Sequence, residues 1–190
     1  MYQKYQTDAL VLGSRESGEN DRVYALYTKD FGLVRARATA VRKESSRMRY
    51  ALQNYSHASV GLVRGNRGWR VGGATAIKTG AGDARGTAAF ARVAELIVRL
   101  VQGEERNPYL FAAIAEAHDA LIQEHCDSFA TIEIVCVARV LFALGYLSAE
   151  AFETTLFSHT AYANEHMREA EVMREKLLSS INKAIAETQL

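Results

Sequence analysis

Between residues 35 and 49 the sequence carries six cations and a single acid, Glu44. The cations are Arg35, Arg37, Arg42, Lys43, Arg47 and Arg49, which we call the basic strip. At the start of this segment arginine alternates with alanine, and successive side chains of a β-strand point to opposite faces. The pattern therefore predicts a strand with cations on one face and small apolar side chains on the other.

A dense row of cations binds phosphate groups and releases their counterions, so the basic strip predicts salt-sensitive, sequence-independent binding of nucleic acid. Ser45 and Ser46 would donate further hydrogen bonds to phosphate. The alternative is a solvated edge strand that charge protects against aggregation, for which one or two charges suffice. We therefore interpret the basic strip as a nucleic-acid-binding surface.

A second group of cations surrounds a predicted hairpin turn at Gly65-Asn66-Arg67-Gly68 and would extend the basic surface. This group consists of Arg64, Arg67 and Arg70. Trp69 lies within it and is the best candidate for stacking on a base, a contact worth about 1–3 kcal/mol per base. The remaining aromatic residues near the strip are expected in the core or at the rim of a barrel: Tyr24, Tyr27, Phe31, Tyr50 and Tyr55.

A glycine-rich segment, Gly80-Ala81-Gly82-Asp83-Ala84-Arg85-Gly86, mimics the turn of a dinucleotide-binding site. Its spacing is GxGxxxG instead of GxGxxG, and no second parallel strand is predicted after it. We therefore interpret it as a hinge between domains. An enzyme that binds NAD or NADP at this turn stays a further hypothesis.

The histidines and cysteines do not form a metal-site pattern, because zinc ligands come in closely spaced pairs and the sequence has no CxxC. Surface positions are expected for His159 and His166. Core or boundary positions are expected for the others that we considered: His118, His125, Cys126 and Cys136.

An acidic cluster, Glu16, Glu19 and Asp21, lies between Arg15 and Arg22. Paired carboxylates can perform acid–base catalysis or bind a metal, but the interleaved arginines predict local ion pairs instead. No nucleophile elbow, P-loop or HExxH motif occurs. The chain is therefore predicted to be a binding protein and not an enzyme, with no catalytic residue and no cofactor.

The 190 residues are 48% apolar and 24% charged, which is typical of a globular protein with one or two domains. Residues 1–80 carry fourteen Lys/Arg and six Asp/Glu, whereas residues 81–190 carry nine and sixteen, so the net charges are +8 and −7. Such a split indicates contact of the basic half with nucleic acid or a membrane, although two unrelated domain surfaces would also produce it.

The sequence gives no indication of membrane insertion or secretion. No apolar run approaches the roughly 18–20 residues that span a bilayer, and the N-terminus lacks the apolar region of a secretory signal. Two cysteines cannot form a disulfide framework and fit a reducing compartment. We expect a cytoplasmic protein.

Eleven of the thirteen glycines precede residue 87, which favours strands in the first half and helices in the second. Five strands are predicted, at residues 9–14, 22–29, 33–40, 55–64 and 69–79. Helices are predicted over residues 84–102, 107–124 and 128–144, followed by a short helix after Ser148 and a long last helix. The predicted fold class is α+β, an N-terminal five-stranded OB-fold-like β-barrel followed by a C-terminal α-helical bundle.

Several short motifs resemble the bacterial recombination mediator family RecO. Gly18-Glu19-Asn20-Asp21-Arg22 and the basic strand that runs into Val41-Arg42-Lys43 resemble its N-terminal domain. Asn107-Pro108-x-x-Phe111 and Leu141-Phe142-Ala143-Leu144-Gly145-Tyr146 resemble its helical domain, and the order of barrel and helices agrees. The cysteine quartet that many RecO proteins carry for zinc is absent, so the resemblance is to a short form without it.

The resemblance implies a nucleoid-associated role in homologous-recombination DNA repair, with no membrane partner. RecO proteins bind single- and double-stranded DNA, anneal complementary strands, contact single-strand-binding protein and work with RecR to load RecA. The DNA contacts of the family lie largely on the basic barrel face, which implies the basic strip here. We accordingly expect a DNA-binding domain at residues 1–80 and a helical protein-interaction domain at residues 81–190. The rival hypothesis is a non-enzymatic scaffold whose basic barrel docks an acidic partner.

Overall fold

The computed structural model of the chain describes residues 3–79, 82–122, 128–152 and 154–188. Its contacts divide it into two compact units. One comprises Met1–Ala81 with Leu100–Pro108, and the other comprises Gly82–Arg99 with Tyr109–Leu190. The strands belong to the first unit and most of the helical residues to the second, as the distribution of glycine predicts.

Five strands and one short helix form the regular structure of the first unit: β1 (Gln3–Ser17), β2 (Asp21–Thr28), β3 (Gly32–Ala38), α1 (Met48–Ala51), β4 (His57–Gly65) and β5 (Gly68–Lys78). All five predicted strands are present. The prediction for the first strand, residues 9–14, covers only the middle of β1. Its polar ends are strand because β1 pairs with β4 along Gln3–Leu10 and with β2 along Ala9–Ser17.

The sheet closes into a barrel in the order β1-β2-β3-β5-β4. Neighbouring strands are antiparallel except for β3 and β5, which run parallel and pair only through Ala36 with Trp69 and Arg37 with Arg70. The register of β1 shifts between Val11 and Gly13, and such a bulge bends a strand so that it can serve two partners. This five-stranded order confirms the predicted OB-fold-like barrel.

The barrel core is formed by inward-facing side chains of all five strands together with residues beside α1. Burial of each large apolar side chain contributes about 1.5–3 kcal/mol, so this core and not the surface charge stabilises the barrel. Its members are Ala9, Val11, Tyr24, Leu26, Val34, Ala36, Ala38, Val41, Leu52, Ala58, Val60, Leu62, Trp69 and Val71.

Two predicted strand boundaries are wrong for the same reason. The third strand was expected to reach residue 40, but Ala40 has a φ of 54° and lies in a turn. The fourth was expected to begin at residue 55, but Tyr55 has a φ of 65°. A left-handed backbone is incompatible with a strand, and neither residue type signals it, since this conformation is uncommon outside glycine.

The helices that follow the barrel are α2 (Ala84–Leu100), α3 (Pro108–Ile122), α4 (Phe129–Ala143), a 3-10 turn (Ala149–Ala151), α5 (Asn164–Val172) and α6 (Arg174–Glu187). The predicted helices are present, although residues 123–127 lie outside the described part of the chain. Met173, with φ −98° and ψ 8°, separates α5 from α6, and the prediction contained only the second of these two. Within the described ranges, no helix is both long and apolar enough to cross a bilayer.

The end of α4 has the geometry that the sequence predicts. Gly145 follows the helix with a φ of 82°. The next residue, Tyr146, donates its N–H to the carbonyl oxygen of Leu141 at 2.8 Å. This bond satisfies a carbonyl group that the helix leaves without a partner at its end.

The central helix α4 is apolar on most faces, as predicted, yet it contains the fully buried Arg139. The guanidinium donates to the carbonyl oxygens of Leu156 at 3.0 Å, Thr160 at 2.6 Å and Ala161 at 3.1 Å, and it lies 4.6 Å from the ring centre of Tyr162. Burial of a charge is costly unless hydrogen bonds compensate for the lost water. One side chain thus ties an irregular segment to the helix, a role that no sequence pattern indicates.

Two glycines at the start of α2 allow a close approach to the end of α3. A Cβ on Gly86 would lie 1.9 Å from the carbonyl oxygen of Leu121 and 2.9 Å from the ring of Phe129. A Cβ on Gly82 would lie 2.7 Å from the backbone of Ile122. The glycine-rich segment therefore serves helix packing, because any side chain at these positions would separate the two backbones.

Gly86→Ala is expected to destabilise the helical unit by about 1–3 kcal/mol, because a backbone oxygen cannot move aside as a side chain would. Without this contact, alanine would stabilise a helix relative to glycine by roughly 0.5–1 kcal/mol. The measurement is the free energy of unfolding in urea, followed by the helical circular-dichroism signal.

The matched control is Gly13→Ala, where no atom lies within 4 Å of the added Cβ. We expect its unfolding free energy to stay within about 0.5 kcal/mol of the wild type. A Gly86→Ala protein as stable as this control would contradict the close approach of α2 and α3.

Candidate nucleic-acid interface

The strand β3 displays the first two cations of the basic strip. Arg35 and Arg37 are exposed, whereas Val34, Ala36 and Ala38 are fully buried. The predicted alternation of faces is therefore confirmed. Because β3 pairs with β2 on one side and β5 on the other, its backbone is held in place and the two arginines project outward.

The rest of the basic strip lies on the segment between β3 and the end of α1. Arg42, Lys43 and Arg47 are exposed, and Arg49 is half-buried in α1. All six cations of the strip thus reach the surface of the barrel unit.

Closure of the barrel brings the second group of cations beside the first. Arg70 on β5 is exposed and in register with Arg37 on β3. Arg64 and Arg67, at the β4–β5 hairpin, are also exposed. Residues that are more than twenty positions apart in sequence therefore contribute to one basic surface.

The structure corrects the assignment of Trp69 as a stacking residue. Its side chain is only 5% exposed, and its ring centre lies 5.6 Å from that of Tyr5 and 5.2 Å from that of Phe31. The guanidinium of Arg64 lies 5.0 Å from the same ring. Trp69 pairs with Ala36 where the barrel closes, and this position turns the indole into the core, where it cannot meet a base.

An exposed aromatic ring is instead provided by Tyr50, which the sequence did not distinguish from core and rim aromatics. Tyr50 is 57% exposed and lies within the basic strip. The guanidinium of Arg49 lies 4.7 Å from its ring centre and donates a hydrogen bond to its hydroxyl oxygen at 2.7 Å. An exposed ring beside a cation has the chemistry needed to stack on a base next to its phosphate.

Three of the predicted site arginines form ion pairs: Arg37 with Asp21 at 2.7 Å, Arg42 with Glu16 at 3.2 Å, and Arg64 with Glu104 at 2.9 Å. Two of these carboxylates belong to the acidic cluster. Its predicted local ion pairing is confirmed for Glu16, which also lies 3.7 Å from Arg22, whereas Asp21 pairs with the distant Arg37. Exposed pairs of this kind contribute only about 0–1 kcal/mol. A phosphate group can therefore compete for the same guanidinium groups.

Four further site residues are exposed and, within the described ranges, have no acidic side chain at ion-pair distance. These are Arg35, Lys43, Arg47 and Arg67. Their charge is not offset by a neighbour, so they are expected to contribute most to binding of a polyanion.

Asp21 fixes the point where the chain leaves β3. Its Oδ2 accepts hydrogen bonds from Nε and Nη2 of Arg37 at 3.0 Å and 2.7 Å, and its Oδ1 accepts one from the N–H of Ala40 at 2.8 Å. The bond from Ala40 and, next, that from Arg37 lower the pKa of Asp21 below its ordinary value. The carboxylate thus holds the unfavourable left-handed backbone at Ala40, from which the exposed cationic turn begins.

A pocket of about 400 Å³ lies beside the basic strip, between β2 and the segment around α1. We call it the basic pocket, and its lining consists of Arg22, Tyr24, Val41, Arg42, Arg49, Leu52, Gln53 and Asn54. Burial raises the pKa of the Tyr24 phenol, and the nearby charge of Arg22 opposes that rise. Sequence analysis missed Arg22, Gln53 and Asn54 as site residues, because they come together only when α1 covers the barrel.

Two of the residues considered as metal ligands, His118 and Cys136, lie in the core of the protein. His118 is fully buried with its ring centre 5.0 Å from that of Phe90, in the core position that was expected. Cys136 is also fully buried, and burial raises the pKa of its thiol to about 11, which keeps it protonated at neutral pH. His125 and Cys126 lie outside the described residues.

Two further motifs are the histidine pair of the helical unit and the glycine-rich segment. The rings of His159 and His166 stack with centres 5.5 Å apart, the first exposed and the second half-buried. No group of three His, Cys, Asp or Glu side chains in the described ranges could hold a metal ion. Of the glycine-rich segment, Gly80 and Ala81 lie outside the described residues.

Asp21→Asn is expected to lower the stability of the protein at neutral pH but not in acid. A carboxyl group whose pKa is lower in the folded than in the unfolded state stabilises the fold above its unfolded-state pKa, and it loses this effect as the pH falls through the folded-state value. The stability difference between wild type and variant should therefore disappear as the pH falls below about 4. Urea unfolding over a pH series measures it.

Glu44→Gln removes the same charge from an exposed acid on the basic strip and is the matched control. Its stability should follow that of the wild type at every pH. A deficit of Asp21→Asn that persisted unchanged in acid would contradict the proposed role of the carboxylate.

Comparison with known proteins identifies the barrel. Residues 1–71 match the family model described as Recombination protein O N terminal. DNA repair protein RecO of Desulfitobacterium hafniense (strain DSM 10664 / DCB-2) is 43% identical over 61 residues, which are 32% of this chain and 22% of that protein. The RecO of Pelotomaculum thermopropionicum is 39% identical over 61 residues, 32% of this chain and 24% of that protein.

A third relative extends the similarity to the helices. DNA repair protein RecO of Dehalococcoides mccartyi is 26% identical over 181 residues, which are 94% of this chain and 64% of that protein. The aligned segments thus span between about a fifth and two thirds of the length of these relatives. Residues 1–71 thus match the N-terminal domain of the recombination protein O family, and the chain is similar to DNA repair protein RecO of Dehalococcoides mccartyi over 94% of its length.

Proposed function

We propose that the chain is a DNA-binding recombination mediator in homologous-recombination DNA repair. Its barrel, residues 1–80, binds single-stranded DNA, and double-stranded DNA as well, through the basic strip and the β4–β5 hairpin. It acts on the nucleoid, within the cytoplasm, and performs no bond chemistry. The observation that carries the proposal is the exposed row of cations on an OB-fold-like barrel that matches the RecO N-terminal model.

The charge of this surface supports strand annealing as the activity. Annealing requires that two polyanions approach each other, and cations between them reduce the repulsion and release counterions. The four cations without acidic neighbours and the exposed ring of Tyr50 provide contacts to phosphate and to bases. The predicted ability to anneal is tested by mixing complementary oligonucleotides, one of which carries a quencher.

We assign the protein partners to the helical residues 81–190. RecR is the proposed direct partner for loading the recombinase RecA, and single-strand-binding protein is a second one. An apolar groove of about 430 Å³ supports the latter, since it suits the apolar tail of a partner. Its lining consists of Arg92, Leu96, Ala130, Glu133, Ile134, Val137, Leu178, Ile181 and Ile185.

A second candidate function is an interaction scaffold whose basic barrel docks an acidic protein. It is favoured by the three site arginines that already bind carboxylates within the chain. This hypothesis predicts that poly-L-glutamate and an oligonucleotide of equal charge bind the barrel equally tightly, so that each displaces the other at equal concentration. The mediator hypothesis predicts that the oligonucleotide binds more tightly, because only DNA offers bases to Tyr50.

The main test is the affinity for a fluorescent single-stranded oligonucleotide over a series of salt concentrations. Each phosphate contact contributes about −0.7 to the slope of log K against log salt for single strands. The triple variant Arg35→Ala/Lys43→Ala/Arg47→Ala should therefore flatten the slope by about 2 if each cation contacts one phosphate.

A matched triple variant removes the same charge from the helical unit: Arg99→Ala/Arg168→Ala/Lys183→Ala. All three of these side chains are exposed, and none belongs to the basic strip. We expect its salt slope to stay at the wild-type value. Absence of DNA binding by the wild type, or equal slopes for the two triple variants, would refute the basic strip as the DNA site.

Tyr50→Ala is expected to weaken binding of single-stranded DNA by about 1–3 kcal/mol, the usual contribution of one stacked base. Tyr50→Phe keeps the ring but removes the hydroxyl group that Arg49 contacts, so it should retain most of the affinity. Fluorescence anisotropy at constant salt measures both. An equal loss in the two variants would assign the effect to the hydroxyl group and not to stacking.

A further inference from the structure

The basic pocket combines an apolar floor with walls that carry charge. Tyr24, Val41 and Leu52 form the floor, and each is at least 98% buried as part of the barrel core. Arg22 comes from the start of β2, and Arg49 from α1. The floor is therefore closed by core side chains, while an anionic group can meet the guanidinium groups of the wall.

A carboxylate already occupies the space between two of the arginines. Glu16 lies 3.7 Å from Nη2 of Arg22 and 3.2 Å from Nη1 of Arg42, and its side chain is 59% exposed. One carboxylate therefore faces two guanidinium groups, so the pocket keeps an excess of positive charge. A phosphate group within a strand carries the same single charge as a carboxylate, so it can take the place of this exposed side chain between the guanidinium groups.

Arg22 also has a donor that the protein leaves unused. Its Nε is buried and has no hydrogen-bond partner within the described part of the chain. A buried donor without an acceptor is unfavourable. An anion that draws the Arg22 side chain toward the pocket would offer the missing acceptor, because Arg22 lines the wall.

Two amide side chains complete the lining and are suited to the edge of a base. Gln53 and Asn54 are both exposed, and Asn54 Oδ1 accepts a hydrogen bond from the hydroxyl group of Ser14 at 2.9 Å. Amides carry both donors and acceptors, as base edges do. The volume of about 400 Å³ lies within the usual range for pockets that hold a small molecule.

We propose that the basic pocket holds one unstacked nucleotide of a single strand. Its phosphate binds Arg22, Arg42 and Arg49 in place of Glu16, and the edge of its base meets the exposed amides of Gln53 and Asn54. The proposal rests on the proposed function and deepens it. It adds a discrete nucleotide site to a surface that otherwise binds only phosphate groups.

The first experiment titrates the full chain, labelled with ¹⁵N, with three probes in turn: thymidine 5′-monophosphate, thymidine and inorganic phosphate. Amide and arginine Nε–H signals report where each probe binds. We expect the nucleotide to shift the Nε–H signal of Arg22 and to bind about tenfold more tightly than either fragment, since only the nucleotide contacts both the guanidinium and the amide groups. Equal affinity for inorganic phosphate and the nucleotide would overturn the role of the amide groups.

Two variants give effects of opposite sign. Arg22→Gln removes a guanidinium group and should weaken nucleotide binding by about tenfold. Glu16→Gln removes the competing carboxylate and should strengthen it by about twofold or more. The second variant keeps the test decisive if the first proves unstable, because misfolding cannot increase affinity.

Arg168→Ala is the matched control, since this exposed arginine lies in α5, outside both the pocket lining and the basic strip. It should leave nucleotide affinity unchanged. A Glu16→Gln protein with unchanged or weaker nucleotide binding would overturn the proposal. A nucleotide that shifts no pocket signal, while the oligonucleotide still binds with a steep salt slope, would overturn the nucleotide site alone. Absence of oligonucleotide binding would instead refute the proposed function.

Discussion

Two residue pairs, Ala36 with Trp69 and Arg37 with Arg70, close the barrel. All other neighbouring strands share long antiparallel ladders, so this short parallel contact is where the sheet could have remained open. Its position decides two properties of the surface. It places Arg70 beside Arg37, which joins two groups of cations, and it buries Trp69, which removes the indole from that surface.

Acidic side chains neutralise part of the positive charge of the basic surface. Asp21 holds Arg37 and the backbone of Ala40, and Glu16 bridges two arginines of the basic pocket. These carboxylates reduce the repulsion among neighbouring guanidinium groups when no polyanion is present, and their exposed pairs are weak enough to yield to phosphate. Cations that have no acidic side chain at ion-pair distance in the described part of the chain lie on the turn after β3 and on the hairpin.

The structure of the helical unit depends on contacts in its interior and not on surface charge. Its central helix carries Arg139, which replaces water by three carbonyl oxygens of an irregular segment. Two glycines at the start of α2 let that helix approach the backbone at the end of α3. Both features are matters of close packing in the interior, and neither depends on the charge that distinguishes the first half of the chain.

Local patterns carried most of what could be predicted from the sequence. Alternation of arginine and alanine determined which faces of β3 are exposed, and helical spacing of apolar residues located α2, α3 and α4, because both signals depend only on backbone geometry. The left-handed turns at Ala40 and Tyr55 escaped prediction, since a hydrogen bond from the N–H of Ala40 to the distant Asp21 stabilises at least the first of them. α5 escaped because its pattern is mostly polar.

Some properties of the basic surface can likewise be predicted from the sequence, whereas others depend on the tertiary structure. The number of cations and their outward direction followed from residue types within one segment. Which aromatic ring is exposed, which arginines are paired and where a pocket forms depended on contacts between residues far apart in the chain. Trp69 and Tyr50 illustrate the difference: both lie beside arginines in sequence, but only the closure of the barrel and the position of α1 determine that the first ring is buried and the second is accessible.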